Sequence, residues 1–410
     1  MNKNLSKAVA VAVLAMGATA ANAGIVIPAG DWTVDIGGNV NAYYQHDKFS
    51  GTAVGGSLAS LGSGAGTKQN NINTGLLPSA LGIGAKSRQG DFDVGFQFTF
   101  FTGVDSTGGL AGGGRNGALG NNSLNIRQSF LTFGDKSWGT IKMGRDLGVY
   151  EGDAILSDMT LLGVGSKAGP NGSSTVGRIG AGYLYADWKT QIQYASPNWN
   201  GFSFAAAVDT PWQATSLSAV SATGGDNRDM GFEGKASYEW AGDFAGKVWV
   251  GGISQKVHKL TATKSPTANG WDIGGKVGVA GFELVGSYYD GEGIGKTGFL
   301  TDGFSAAGAK RDSKGGYVQA SYKLPVGTKL GVSWGESKLD RANAADRVAI
   351  NASANGLVEK DRSWIIGAYH PLTKSVNLVA EYTDTKGKNL KVNAGDAKDK
   401  TFSLGAILFF

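Results

Sequence analysis

The chain has 410 residues, and its 38 Lys and Arg against 33 Asp and Glu leave a formal charge of +5, too small an excess to argue for nucleic acid as a partner. It has no cysteine, which excludes a disulfide framework, and its 67 glycines beside only 8 prolines suit tightly curved sheets and turns rather than collagen or linker. Beyond the first residues no stretch approaches the ~18–20 consecutive apolar residues that a membrane-spanning helix needs.

Residues 1–23 have the layout of a secretory signal: Lys3 and Lys7, an apolar run Ala8–Met16, then small residues ending Ala21-Asn22-Ala23. Removing them takes the charge from +5 to +3, because Lys3 and Lys7 go too, and leaves one domain, 24–410. Asp31–Gln45 alternates, with Trp32, Val34, Ile36, Val40 and Tyr44 on one face and Thr33, Asp35, Asn39, Asn41 and Gln45 on the other. His46 to Asn73 reads as a loop, and a second strand follows at about Gly75–Ser87. The third puts Phe92, Val94, Phe96, Phe98 and Phe100 on one face, opposite Asp93, Gly95, Gln97 and Thr99.

From here connections alternate in length. Short turns fall near Ser196–Gly201, Ala241–Gly246, Ala280-Gly281, Pro325–Gly327 and Pro371–Lys374. Long polar loops fall near Pro211–Arg228, Lys259–Asn269, Gly291–Ser313, Asp340–Lys360 and Lys386–Lys400. Aromatic residues such as Trp138, Trp188, Trp199, Trp240, Trp271, Trp364 and Tyr369 gather near strand ends, as in two interfacial girdles. In Thr401–Phe410 the residues Phe402, Leu404, Ala406, Leu408 and Phe410 share a face, so this strand can pair with Asp31–Gln45 and remove both sheet edges. The pattern is all-β: an antiparallel transmembrane β-barrel of about 16 strands, exported to the outer membrane and surrounded by its lipid.

One stretch breaks the alternation. In Gly144–Ser166 the acids Asp146, Glu151, Asp153 and Asp158 mix with Leu147, Ile155, Leu156, Met159, Leu161 and Leu162 at roughly helical spacing. A loop carrying its own apolar residues should pack, and we expect it to fold into the barrel and narrow it.

Several short motifs, in order, carry a family resemblance: Arg127-Gln128-Ser129-Phe130, then Gly139-Thr140-Ile141-Lys142-Met143-Gly144-Arg145, Val176-Gly177-Arg178, Tyr194–Phe202, Gly367-Ala368-Tyr369 with Leu372-Thr373-Lys374, and the terminal Phe410. The chain resembles the general porins of Gram-negative bacteria, closest to those of Neisseria and Burkholderia relatives. The resemblance implies a 16-stranded homotrimeric channel whose third long loop, about 146–175 here, folds inward as the constriction. It also implies recognition of the C-terminal strand, ending in Phe410, by the barrel-assembly machinery. Asp158 matches an acidic loop position of the family, and Arg127 and Arg178 match basic wall positions. Ala80 stands where many relatives carry a wall arginine and Asp187 falls near another, so the implied anion preference is weak.

A ring of fixed charge in a narrow neck selects by sign. Arg127 shares parity with Ser129 and opposes Phe130, Lys142 opposes Ile141 and Met143, and Lys86 opposes Leu81 and Ile83, so we expect these three to point into the lumen with Arg178, facing Asp158 and Asp153. The competing readings are an ion pair pinning the loop for the arginines and a loop N-cap or solvated carboxylate for the acids. Arg145 is expected to anchor the loop base. His46, His258 and His370 stand apart and none can serve an oriented nucleophile, so we expect no enzyme; no ligand cluster suggests a metal, and no cofactor is implied. The function expected is passive diffusion of ions and small hydrophilic solutes. The alternatives are a channel specific for small carboxylates and a structural or adhesive barrel with a blocked lumen.

Overall fold

The computed structural model describes residues 24–60, 67–104, 124–167 and 174–410. The secretory-signal reading of 1–23, the whole of the glycine-rich stretch 105–121 that the sequence reads as a long loop after the third strand, and part of the proposed constriction loop lie outside the described residues. In chain order the strands are β1 (Ile25–Ala29), β2 (Trp32–Gly51), β3 (Lys68–Asn73), β4 (Ser79–Gln89), β5 (Phe92–Thr102) and β6 (Asn125–Asp135). Then come β7 (Gly139–Leu147), β8 (Trp188–Ala195), β9 (Phe202–Asp209), β10 (Gly231–Trp240), β11 (Ala245–Lys256) and β12 (Thr267–Val279). The last six are β13 (Phe282–Glu292), β14 (Asp312–Lys323), β15 (Lys329–Leu339), β16 (Val358–Pro371), β17 (Val376–Asn389) and β18 (Ala397–Phe409). Short helices α1 (Gly152–Leu156) and α2 (Ala344–Ala352) lie in connections.

Every strand pair is antiparallel, and β18 pairs with β2 from Ala397 opposite Gly51 to Phe409 opposite Asn39, which closes the sheet. Below that ladder β1 takes over the same edge of β2, with Ile25 opposite Ile36. β3 and β4 likewise share one position beside β2, so the closed barrel has 16 strand positions. Closure is what lipid demands: a backbone N–H or C=O without a partner in hydrocarbon costs several kcal/mol.

The alternation sets which face meets lipid. On β5, Phe98 is 42% exposed while Thr99 next to it is 3% exposed, the inverse of a soluble core. The exposed set continues around the wall through Leu131, Ile192, Phe232, Val250, Ile273, Leu284, Val318, Val332, Ile366 and Leu404. Of the aromatics assigned to the girdles, Trp188 and Tyr369 instead point inward and are buried.

Two sequence boundaries move. The first strand runs on to Gly51 and β3 forms within the region read as a loop, because this upper part of the wall is polar on both faces and carries no apolar alternation. The second strand is broken at residues 74–78, where Pro78 has no N–H to give and Leu76 and Leu77 turn inward to become buried. The break is covered from inside: Leu76 N donates to Gly163 O at 2.8 Å, Thr175 N donates to Gly75 O at 3.1 Å, and the Asn41 amide bridges Gly75 N and Leu77 O. α2 was read as polar loop; its Asn343 cap, which accepts from Asp346 N, and its alanines account for it.

A Cβ on Gly75 would lie 2.0 Å from Gly163 O and 2.8 Å from a Tyr43 ring carbon. Gly75→Ala must therefore shift backbone, and we expect it to cost about 1–3 kcal/mol, read as a lower midpoint in urea unfolding of the lipid-reconstituted barrel.

Candidate functional site

The described residues of the segment 148–187, between β7 and β8, are held by wall side chains that alternate with the lipid-facing ones and so point to the interior. Glu233 on β10 accepts from Val149 N at 2.5 Å and Tyr150 N at 2.9 Å, and its other oxygen pairs with Lys189. Glu381 on β17 accepts from Val164 N at 2.8 Å, Gly165 N at 2.7 Å and the Tyr369 hydroxyl at 2.6 Å. Between them Gln319 on β14 accepts from Met159 N at 2.7 Å, and the Tyr317 hydroxyl donates to Ala154 O at 2.8 Å. The Tyr43 hydroxyl on β2 donates to Leu162 O at 2.7 Å. Charged acceptors make stronger bonds to backbone N–H than neutral ones, so two carboxylates carry much of this docking. The segment's apolar residues fill in beneath: Ala154, Ile155, Leu161 and Ile179 pack with Leu76, Leu77 and Tyr317, and Met159 and Val164 pack with Tyr43 and Ile365.

Asp158 and Arg178 belong to this anchoring. Arg178 lies on the segment itself, not on a wall strand, and is 0% exposed; its Nε donates to Ser333 Oγ at 2.5 Å and its Nη1 to Ser363 Oγ at 3.1 Å. Asp158 caps a 3-10 turn by accepting from Thr160 N at 2.9 Å, and also accepts from the Tyr183 hydroxyl at 2.8 Å and Arg178 N at 3.2 Å. The expectation that both face a water path is corrected: the chain turns back at Gly177, Gly180 and Gly182, all with positive φ, and carries Arg178 onto β15 and β16 instead of into a strand.

Lys86 is also corrected, in height rather than parity. It is exposed and lies three residues before the end of β4, at the short-turn rim far from the segment. Arg127 comes inward by a different route from the one expected. Ser129 pairs with Phe98 and Arg145, on the lipid side, while Phe130 faces inward; a bulge between Thr99 and Phe100 leaves Arg127 unpaired and resets the alternation. Its guanidinium then sits 4.8 Å from the centre of the buried Phe101 ring and 6.0 Å from Trp188. Arg145 is exposed on the lipid-side parity, and among the described residues it makes no hydrogen bond or ion pair to the segment. Lys142 faces inward, ion-paired to Asp146 and 5.4 Å from the Phe130 ring centre. Asp146 also accepts from Gln128 Nε2 at 2.8 Å.

Asp153, in α1, is the acid that meets wall cations: Lys235 Nζ on β10 at 2.8 Å and Lys247 Nζ on β11 at 2.6 Å. Neither lysine was singled out from the sequence, although both alternate with lipid-facing residues, Lys247 directly before the exposed Val248. Lys276 on β12 lies opposite Lys247 on the same inward face. Glu151, at the N-cap of α1 with a left-handed φ of 59°, is buried, and burial pushes its carboxyl well above the usual range, with Asp272 adding to the effect. Burial would also raise Asp153, but the Lys235 and Lys247 ammonium groups outweigh it and hold the carboxyl at about 2.

This closed, lipid-faced barrel with a charged interior is an outer-membrane channel. A sequence profile of the Gram-negative porin family matches residues 9–390, so the chain belongs to that family and resides in the outer membrane. No protein of curated function matches it. Among solved structures it is similar to the outer membrane channel DcaP of Acinetobacter baumannii, at 17% identity and a TM-score of 0.66 over 95% of this chain and 100% of that one. It is also similar to Salmonella typhi OmpF in complex with daunomycin, at 15% identity and a TM-score of 0.57 over 93% and 100% of the two chains. A third is the trimer form of in-vitro folded OmpT of Vibrio cholerae, at 14% identity and a TM-score of 0.55 over 92% and 99%.

Two outcomes follow. Arg178→Ala removes charged donors from buried serines and should lower stability by about 2–3 kcal/mol in equilibrium unfolding, while leaving the reversal potential of reconstituted channels under a salt gradient as in the wild type. For Asp153 the folded value lies below the unfolded one near ~3.9, so its contribution is present above that value and is lost as pH falls toward about 2. The protection of α1 amides relative to their intrinsic, pH-dependent exchange should thus be flat from about pH 7 to 5 and fall below about 4, and Asp153→Asn should remove the fall.

Proposed function

We propose that the chain is a passive diffusion channel for ions and small hydrophilic solutes, in which the segment 148–187 folds inward as the third long loop and narrows the lumen. The observation that carries this reading is Asp153 held between Lys235 and Lys247, which places a carboxylate from the loop against cations of the wall. Lys142 and Lys276, with Arg127, extend the cationic side, and Asp146 and Glu239 partly offset it. The balance favours a weak anion preference, and the opposed charges set a field across the neck that orients dipolar solutes. The non-catalytic channel role follows the family, and the motif set points to its Neisseria and Burkholderia branch. Trimer formation is supported by the trimeric OmpT likeness, and assembly through the terminal strand by the pairing of β18 with β2.

The test is the reversal potential in planar bilayers under a salt gradient. Lys235→Gln with Lys247→Gln should shift it toward cations, and Asp153→Asn toward anions, each by several millivolts. Open channels with neither shift would place the neck elsewhere, and no steady open level would favour a blocked, structural barrel. The cluster of Lys235, Lys247 and Lys276 also suits a small carboxylate; current block by succinate but not by its diamide would support that narrower reading.

A further inference from the structure

Three inward side chains on neighbouring strands form a closed cluster against the inner segment. Lys189 on β8, Asp209 at the end of β9 and Glu233 on β10 share one face, because Asp209 lies opposite Gln191 and Gly231, each two residues from one of the other members. They are 2%, 3% and 4% exposed. The Lys189 ammonium contacts Glu233 Oε1. It also lies 4.9 Å from the centre of the Phe299 ring and 5.7 Å from that of Trp212, so rings rather than water cover it. Asp209 hydrogen-bonds to Glu233, which requires a proton between the two carboxyls, and its Oδ1 has no partner among the described residues.

Anchoring of the segment uses only one oxygen of Glu233. Val149 N at 2.5 Å and Tyr150 N at 2.9 Å both donate to Oε2. Two N–H groups aimed at one carboxyl oxygen are the arrangement that stabilises an oxyanion in acyl transfer. An amine on the other oxygen and a proton donor alongside supply the remaining parts. Desolvating an ion pair is costly, and joining its members through an amide removes both charges. Partners fixed in contact also gain the effective molarity of an intramolecular reaction, about 10⁵–10⁸ M when well oriented.

Two other lysine–carboxylate pairs among the described residues have both side chains no more than 2% exposed, Lys167 with Asp47 and Lys296 with Asp361. Neither has the same set. Asp47 accepts from the Thr401 hydroxyl and from no backbone N–H, and Asp361 accepts from a single backbone N–H, that of Leu58.

We propose that Lys189 and Glu233 condense into an intramolecular isopeptide bond, with Asp209 as the proton shuttle. The Lys189 ammonium gives a proton to Glu233 Oε1, and the resulting amine attacks Glu233 Cδ. Val149 N and Tyr150 N hold the negative charge that gathers on Oε2. Asp209 protonates the Oε1 hydroxyl, which leaves as water, and then takes a proton back from the nitrogen. One amide and one water form, and Asp209 ends as it began. Oε2 remains as the amide oxygen and keeps both N–H bonds, so the segment stays docked. The bond cross-links β8 to β10 across β9 and is independent of what passes through the lumen.

The experiment refolds the full chain in detergent and follows its intact mass with time, heat-modifiable gel mobility reporting that it has folded. The wild type should become lighter by one water than the sequence from its measured N-terminus. Tryptic digestion should then give a branched peptide that joins Lys189 to Glu233 and is uncut after Lys189. Asp209→Asn keeps both partners and should close the bond about a hundredfold more slowly, as loss of a positioned proton donor does, and Lys189→Arg should fold and stay at full mass. Folded wild type that stays at full mass overturns the proposal, and this result decides alone should either variant fail to fold. A lost water mapped to an aspartate succinimide, or to Lys167 or Lys296, overturns it too, as does closure in Asp209→Asn at the wild-type rate.

Discussion

A wall immersed in hydrocarbon has no water to satisfy its backbone, and this constraint organises the molecule. Among the described residues the ladder from β2 round to β18 and back meets it strand by strand, single bulged residues such as Arg127 aside, and is opened at residues 74–78, where Pro78 and the inward turn of Leu76 and Leu77 break the second strand. There the missing partners come from inside the barrel, from Gly163 and Thr175 of the segment between β7 and β8 and from the Asn41 amide. Wall and inner segment therefore complete each other: the break would be costly without the segment, and the segment would lose a main docking point without the break.

The same economy governs charge. Glu233 and Glu381 are buried acids whose oxygens are taken up by backbone N–H groups of the segment, with Lys189 and Tyr369 completing the sets. Buried charges persist only when paired or hydrogen-bonded, so these residues tie loop position to wall chemistry. Arg178 and Asp158 do the same from the loop side. The group we propose to act on solutes is smaller: Asp153 against Lys235 and Lys247, with Lys142 and Lys276 on the same inward side.

The fold was legible because period-two alternation and the contrast of short and long connections are local signals, plain at Phe92–Phe100 and Thr401–Phe410. Charges were harder to place, and the misses have distinct causes. Arg127 could not be oriented by counting from Ser129, because one bulged residue inverts the count. Lys86 had the right face but the wrong height, and alternation carries no information on height. Arg178 and Asp158 sit in irregular backbone, where neither period applies and only the three-dimensional path decides burial. Lys235 and Lys247 were readable as inward but had no partner in view, since Asp153 lies more than eighty residues earlier in the chain.

The tethers of the inner segment come from positions far along the chain. Residue 164 must wait for Glu381, 217 residues later, and residue 159 for Gln319, 160 residues later. Contacts of such sequence separation form late and slowly. The segment is thus completed early but can seat itself only after β14 to β17 have taken their places and the sheet has closed. The position of the segment is therefore tied to strands that lie far beyond it in the chain and do not belong to it.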